Sequence, residues 1–95
     1  MASGAGISVT TITDNTVTGQ GPGFDNAQNG IQVSFGASAQ TISKNTVTEN
    51  IYTQTGATGY IATGILIDLA GQTPNVGQLA SLNTLYDNQA NVMDF

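Results

Sequence analysis

The sequence has no cysteine, no histidine, no tryptophan and no arginine, and Lys44 is its one basic side chain. Without cysteine there is no disulfide framework, thiolate zinc site or cysteine nucleophile. Without histidine there is no imidazole for proton transfer or metal ligation, and without arginine there is no bidentate phosphate clamp. Six carboxylates against one cation give a net charge of -5. A field of that sign repels nucleic acid and anionic membrane surfaces alike. No apolar run approaches the roughly 18 residues that would suggest a membrane-spanning helix. The opening Met1-Ala2-Ser3-Gly4-Ala5-Gly6 has neither the basic nor the apolar region of a secretory signal. Either a signal was removed ahead of Met1, or the chain is cytosolic.

What remains is a chain whose polarity comes from hydroxyls and amides. Its 95 residues include fourteen Thr, nine Asn, eight Gln and twelve Gly, and only 7% are charged. The length suits one small domain. An apolar fraction of 39% is too high for a disordered polar tract and fits a folded, β-rich one.

The pattern along the chain is a repeat. Thr11-Ile12-Thr13-Asp14-Asn15-Thr16-Val17-Thr18 returns thirty residues later as Thr41-Ile42-Ser43-Lys44-Asn45-Thr46-Val47-Thr48. A weaker third copy aligns Asn83-Thr84-Leu85-Tyr86-Asp87-Asn88 with Asn45–Asn50, with Ala80 in the place of Ile42. Two further segments, Gly30–Phe35 and Thr63–Leu69, alternate with period two, which predicts strands whose buried faces carry Ile31, Val33 and Phe35, and Ile65, Ile67 and Leu69. Glycine-rich stretches, Gly19–Asn26 and Thr55–Gly59, read as turns. No capped helix of 3.6 period is expected. A thirty-residue unit with one apolar stripe per strand cannot bury that stripe alone, so equivalent strands are expected to stack in parallel. Stacking places Asn15, Asn45 and Asn83 in one column at roughly 4.8 Å spacing, an asparagine ladder at the bend between strands. Asp14 is brought beside Lys44 in the same way.

The segments Ala27–Ala37, Ile42–Asn50 and Ala62–Leu66 resemble right-handed parallel β-helix repeat proteins of the pectate-lyase-like superfamily, over about residues 10–88. The resemblance implies an all-β, right-handed parallel β-helix, a β-solenoid of about three coils. Ile12, Val17, Ile31, Val33, Phe35, Ile42, Val47, Ile65, Ile67, Leu69 and Leu85 are then expected inside. It says little about activity, because the superfamily spans pectin-degrading enzymes, alginate epimerases, phage tailspikes and adhesins. Its enzymes act on an outer groove with clustered Asp and Arg, Lys or His, or Asp with calcium. This chain departs from that pattern in lacking Arg and His.

Candidate chemistry is correspondingly thin. Asp25 and Asp68 form the best carboxylate pair for a glycosidase-like role, and the plainer reading is two solvated carboxylates. Gly21-Pro22-Gly23-Phe24-Asp25 resembles half of a calcium-binding nonapeptide, but it occurs once and without period nine. Tyr52 and Tyr60, with Asp25 and Asp68, are candidate sugar contacts, against the plainer reading of aromatics stacked between coils. Ser8, Ser34, Ser43 and Ser81 have no His or Lys base placed by a motif. No enzyme activity and no cofactor are expected.

The ends of the chain complete the reading. No capping element is visible, although open solenoid ends expose unpaired strands and apolar core. The repeat units run over about 11–40 and 41–78, with 79–95 completed by residues 1–10 of a neighbouring copy. Val92–Phe95 echoes Gln32–Phe35, and Ser3–Thr10 resembles the stretch following Phe35. Gly6, Ile7, Val9, Leu85, Val92 and Phe95 are therefore expected at assembly ends. The expectation is a structural protein whose copies join head to tail in an extracellular or cell-surface filament. The alternative is a piece of a larger secreted β-helix protein that binds or processes polysaccharide. Neither reading calls for a nucleic-acid partner or membrane insertion.

Overall fold

The computed structural model describes residues 1–23, 28–52 and 61–95. Within them the chain forms β1 (Ala2–Ser3), β2 (Ser8–Thr13), β3 (Thr16–Gly23), β4 (Asn29–Ser34), β5 (Ser38–Ser43), β6 (Thr46–Tyr52), β7 (Thr63–Asp68), α1 (Val76–Leu82), β8 (Thr84–Tyr86) and β9 (Ala90–Asp94). The fold is mostly β, in three sheets ordered β1-β4-β7-β9, β2-β5 and β3-β6-β8. All pairings are parallel.

The repeat sets the register. Ile12 lies beside Ile42 and Thr16, Val17 and Thr18 lie beside Thr46, Val47 and Thr48, each pair thirty residues apart. Ile31 and Val33 lie beside Ile65 and Ile67. Like residues therefore stack on like, and one face of every sheet meets the others in a core of Ile31, Val33, Ala37, Ala39, Ile42, Val47, Ile65, Ile67 and Leu79. Ile12, Val17 and Leu85 pack against this core but are only partly buried, because they belong to the outermost strands.

The corners between strands are tight. Asp14 and Lys44, at φ of 60° and 57°, turn the chain between β2 and β3 and between β5 and β6, and Glu49 and Asp87 bend it at 63° and 55°. Gly30 opens the next face where there is no space for a side chain, since a Cβ there would collide with the Val47 side chain and lie 2.8 Å from the Gly64 carbonyl oxygen.

Four sequence expectations are corrected. Phe35 and Leu69 are not inside: they are 58% and 64% exposed. Their φ values of 53° and 51° end the strands at Ser34 and Asp68 and break the alternation that would have turned them inward. Gly19–Gly23 is part of β3, with Gly21, Pro22 and Gly23 beside Asn50, Ile51 and Tyr52, rather than a turn. The echo of Gln32–Phe35 in Val92–Phe95 is out by one residue: Val92 pairs with Ile65, which pairs with Ile31, so Val92 takes the place of Ile31. A one-residue slip exchanges the faces of a strand, and Val92 accordingly packs on the core.

The fourth correction is α1, which stands where the third repeat was expected to supply a strand around Ala80. Asn75 caps it: its Oδ1 accepts from the Gln78 backbone N–H at 2.9 Å, and Gln78 Oε1 accepts from the Asn75 N–H at 3.0 Å. This reciprocal pair satisfies two donors that a helix start otherwise leaves open. Leu79 is fully buried in the core, so α1 acts as a capping element where none was expected. It covers the side of sheet β2-β5 on which, among the described residues, no third strand follows.

Candidate functional site: asparagine ladders and open strand edges

Asn15, Asn45 and Asn83 form a directional column at the bend between sheets. Asn15 Nδ2 donates to Asn45 Oδ1 at 3.0 Å, and Asn45 Nδ2 donates to Asn83 Oδ1 at 2.9 Å. The same oxygens accept from the backbone N–H of Asn15 and Asn45, both at 3.1 Å. Asn45 also donates to Ile12 O across the corner, and Asn83 to Ile42 O. A fully buried amide at Asn45 is thus satisfied on every side, which is what makes its burial tolerable. The positive φ of Asp14 and Lys44, each just ahead of its asparagine, turns the amide into this position.

A second ladder was not anticipated. Asn50, 2% exposed, donates from Nδ2 to Asn88 Oδ1 at 2.9 Å, and its backbone N–H donates to the same oxygen at 3.2 Å. The signal was present in the alignment of Asn45–Asn50 with Asn83–Asn88, which begins and ends in asparagine in both copies. Glutamines clip the neighbouring corner. Gln89 Oε1 accepts from the N–H groups of Tyr52 and Ala62, joining the end of β6 to the approach to β7. Gln28 accepts from the Gln20 N–H and donates to Gly21 O and Ile51 O.

Both ladders end on internal partners at the β8 side. Asn83 Nδ2 donates to Leu79 O, the carbonyl of a helical residue, and Asn88 Nδ2 to Asn91 Oδ1. At the opposite side Asn15 is exposed, and among the described residues no donor lies against its Oδ1 as one does against Asn45 and Asn83.

The residues expected at the assembly ends fall on the outermost strands or beside them. Val9 lies in β2, Leu85 in β8 and Val92 in β9, each partly buried against the core. Gly6 and Ile7 precede β2; Gly6 has φ of 85° and Ile7 is 47% exposed. Phe95 follows β9, exposed, with its N–H donating to Ile67 O and its carbonyl accepting from the Leu69 N–H. Of the four candidate sugar contacts the structure describes two, Tyr52 and Asp68. Tyr52 is the last residue of β6 and Asp68 the last of β7. Asp25 and Tyr60 lie outside the described residues, as does most of the calcium-like turn.

Among the described residues no group of three or more His, Cys, Asp or Glu side chains is gathered as a metal would require. Nor, among the described residues, is any helix long and apolar enough to cross a membrane. The buried polar side chains, Ser34, Asn45, Thr48, Asn50 and Thr63, are all uncharged. What the arrangement offers chemically is backbone hydrogen bonding along exposed strand edges, backed by partly covered aliphatic side chains. Compared with protein-family models, with curated proteins and with solved structures, the chain matches none.

Proposed function

We propose that the three parallel sheets are the faces of a right-handed β-solenoid, and that the protein is structural: its copies join head to tail into an extracellular or cell-surface filament, without catalysis. The observation that carries this reading is the state of the outermost strands. β1, β2 and β3 are edges on one side of the stack, and β9 and β8 on the other. Behind them Val9, Val17, Leu85 and Val92 are only partly covered. Parallel addition of strands from another copy pairs those edges and buries this aliphatic surface, at about 25 cal/mol per Å² of apolar area.

α1 shapes the contact. At a repeat of three strand spacings β8 meets β3 of the next copy and β9 meets that copy's β4, taking the row of its two-residue β1, while α1, with Val76 and Leu82 half exposed, is set against β2. The asparagine ladder stops within each subunit, because Asn83 donates to Leu79 O. A net charge of -5 on each copy makes assembly salt-dependent, since added salt screens the repulsion between copies.

Electron microscopy and fibre diffraction of the purified protein test the reading. The expected result is unbranched fibres with a reflection near 4.8 Å and a subunit rise of roughly 14–15 Å, three strand spacings. Monodisperse monomers at all salt concentrations overturn it.

A further inference from the structure

Two asparagine amides, at opposite ends of the stack, are incomplete in complementary ways. Asn50 is 2% exposed, yet among the described residues no donor lies against its Oδ1. Asn45 Oδ1 accepts two N–H groups from Asn15, and Asn88 Oδ1 two from Asn50. The rung that would supply the same pair to Asn50 is missing: Gly21 is in register with it on β3, after an irregularity that begins at Thr18. In place of that rung is a cavity of about 360 Å³, lined by Asn50 with Val17, Gly19, Gln20 and Asn29. A buried acceptor left unpaired is costly, so this cavity suits an N–H donor.

At the other end Asn91 is exposed. Its Oδ1 accepts from Asn88 Nδ2 at 3.2 Å, as Asn88 Oδ1 accepts from Asn50 Nδ2 at 2.9 Å, so Asn91 is the third rung of the second ladder. Its own Nδ2 has no acceptor among the described residues. Gly30, Gly64 and Asn91 share one row, between the paired residues Asn29, Thr63 and Ala90 and the paired residues Ile31, Ile65 and Val92. A Cβ at Gly30 would lie 3.2 Å from Asn50 Nδ2, and one at Gly64 2.9 Å from Asn88 Nδ2. Each of those amides belongs to the rung one strand spacing further on. A side chain in this row therefore points past its own level, and that of Asn91 points beyond the end of the stack.

We infer that Asn91 is the rung the next copy lacks: its carboxamide enters that copy's cavity and donates from Nδ2 to the Asn50 Oδ1 found there. The occupant is a second copy of this chain, and the inference rests on the head-to-tail reading above. Asn50, Asn88 and Asn91 then give three amides for three strand spacings, and the second ladder runs unbroken from copy to copy. The first ladder cannot do so. Both N–H groups of Asn83 Nδ2 are engaged, by Ile42 O and Leu79 O, which leaves none for Asn15 Oδ1 of the next copy. The amide also sets the joint. A free donor at one end and a free acceptor at the other exclude contacts between like ends. Strand edges alone specify register weakly where no buried pattern enforces it, and a shift of one residue brings Ala90 or Val92, which carry no side-chain donor, into the row of Gly30.

The test uses wild-type fibres grown from equal parts of two batches of the full chain, one labelled with heavy nitrogen and the other with heavy carbon. Solid-state NMR transfer between the two isotopes then reports only contacts between copies. The expected result is a cross-peak from Asn91 Nδ2 to Asn50 Cγ, with none from Asn83 Nδ2 to Asn15 Cγ. A variant gives a second measurement. Asn91→Asp keeps an acceptor for Asn88 Nδ2 and replaces the free donor by another acceptor. At about 1 M salt, where the Debye length is about 3 Å and the added charge is screened, its critical concentration for elongation is expected to be about ten-fold above that of the wild type, with an unchanged circular dichroism spectrum. Wild-type fibres without the Asn91–Asn50 cross-peak, or Asn91→Asp elongating at the wild-type critical concentration, overturn this proposal and leave head-to-tail assembly standing. A wild-type protein that forms no fibres sinks the assembly reading and this inference with it.

Discussion

Asn45 is the residue on which most bonds converge. It donates to Asn83 Oδ1 and Ile12 O, and accepts from the N–H and Nδ2 of Asn15. Asn45→Ala leaves several buried groups unpaired, and each such loss costs about 1–3 kcal/mol. A total of about 2–4 kcal/mol is expected, lowering Tm by roughly 10–20 °C for a domain of this size. Asn15→Ala should cost about 1 kcal/mol or less, because Asn15 is exposed and Asn45 Oδ1 keeps the Asn15 backbone N–H. Thermal denaturation of the two variants side by side checks the ranking, and equal losses would contradict it. Phe35 carries the opposite prediction. A core phenylalanine replaced by a small residue costs about 3–5 kcal/mol, whereas an exposed one at φ of 53° bears backbone strain that asparagine tolerates better. Phe35→Asn is therefore expected to leave Tm unchanged or to raise it by a few degrees, as read by calorimetry. The asparagine column was legible in the sequence because Thr-Ile three residues ahead and Thr-Val-Thr directly behind recur around both of its strong copies. The outward turn at Phe35 and Leu69 was not, since nothing in a run of alternating apolar residues marks the position where a non-glycine residue adopts positive φ.

At the scale of elements, periodicity revealed the parallel stacking and hid the helix. Thr11–Thr18 and Thr41–Thr48 differ at two positions, so their mutual register could be read directly, and the Gly-Ile strands followed from their alternation. The third repeat aligns with the first two through Ala80 in the place of Ile42, an alignment that predicts a strand there and masks the local chemistry. That chemistry was plain: Pro74, an asparagine three residues ahead of Gln78, and Val76, Leu79 and Leu82 three apart. The helix is only seven residues long, too short to be stable without tertiary packing. It depends on Leu79 in the core and on its cap. Asn75→Ala removes the acceptor for the Gln78 N–H and should cost about 1 kcal/mol. Faster amide exchange is expected across residues 75–82, with little change in β4 and β7. Uniformly faster exchange over the whole chain would show instead that α1 and the sheets open as one unit.

At the scale of the whole molecule the question is which groups face a neighbour. Phe95 donates its N–H to Ile67 O and accepts from the Leu69 N–H, so its backbone polar groups point to β7. Successive residues of a strand direct these groups to opposite edges, which turns the Val92 N–H away from β7 and out to the open edge. Proline at that position removes an outward donor and leaves the inward ladder intact, the situation in which edge strands accept proline. Its ring also keeps apolar contact where Val92 packs on the core. Val92→Pro is accordingly expected to retain the far-UV circular dichroism of the wild type and to lose no more than about 1–2 kcal/mol of stability, the scale of an ordinary single substitution. Elongation should stop, because the next copy meets a strand with a missing donor and a ring across its path. Sedimentation and electron microscopy at matched concentration read the outcome. Fibres of unchanged length from a folded Val92→Pro protein would exclude the β9 edge as the contact between copies and would sink the head-to-tail assembly.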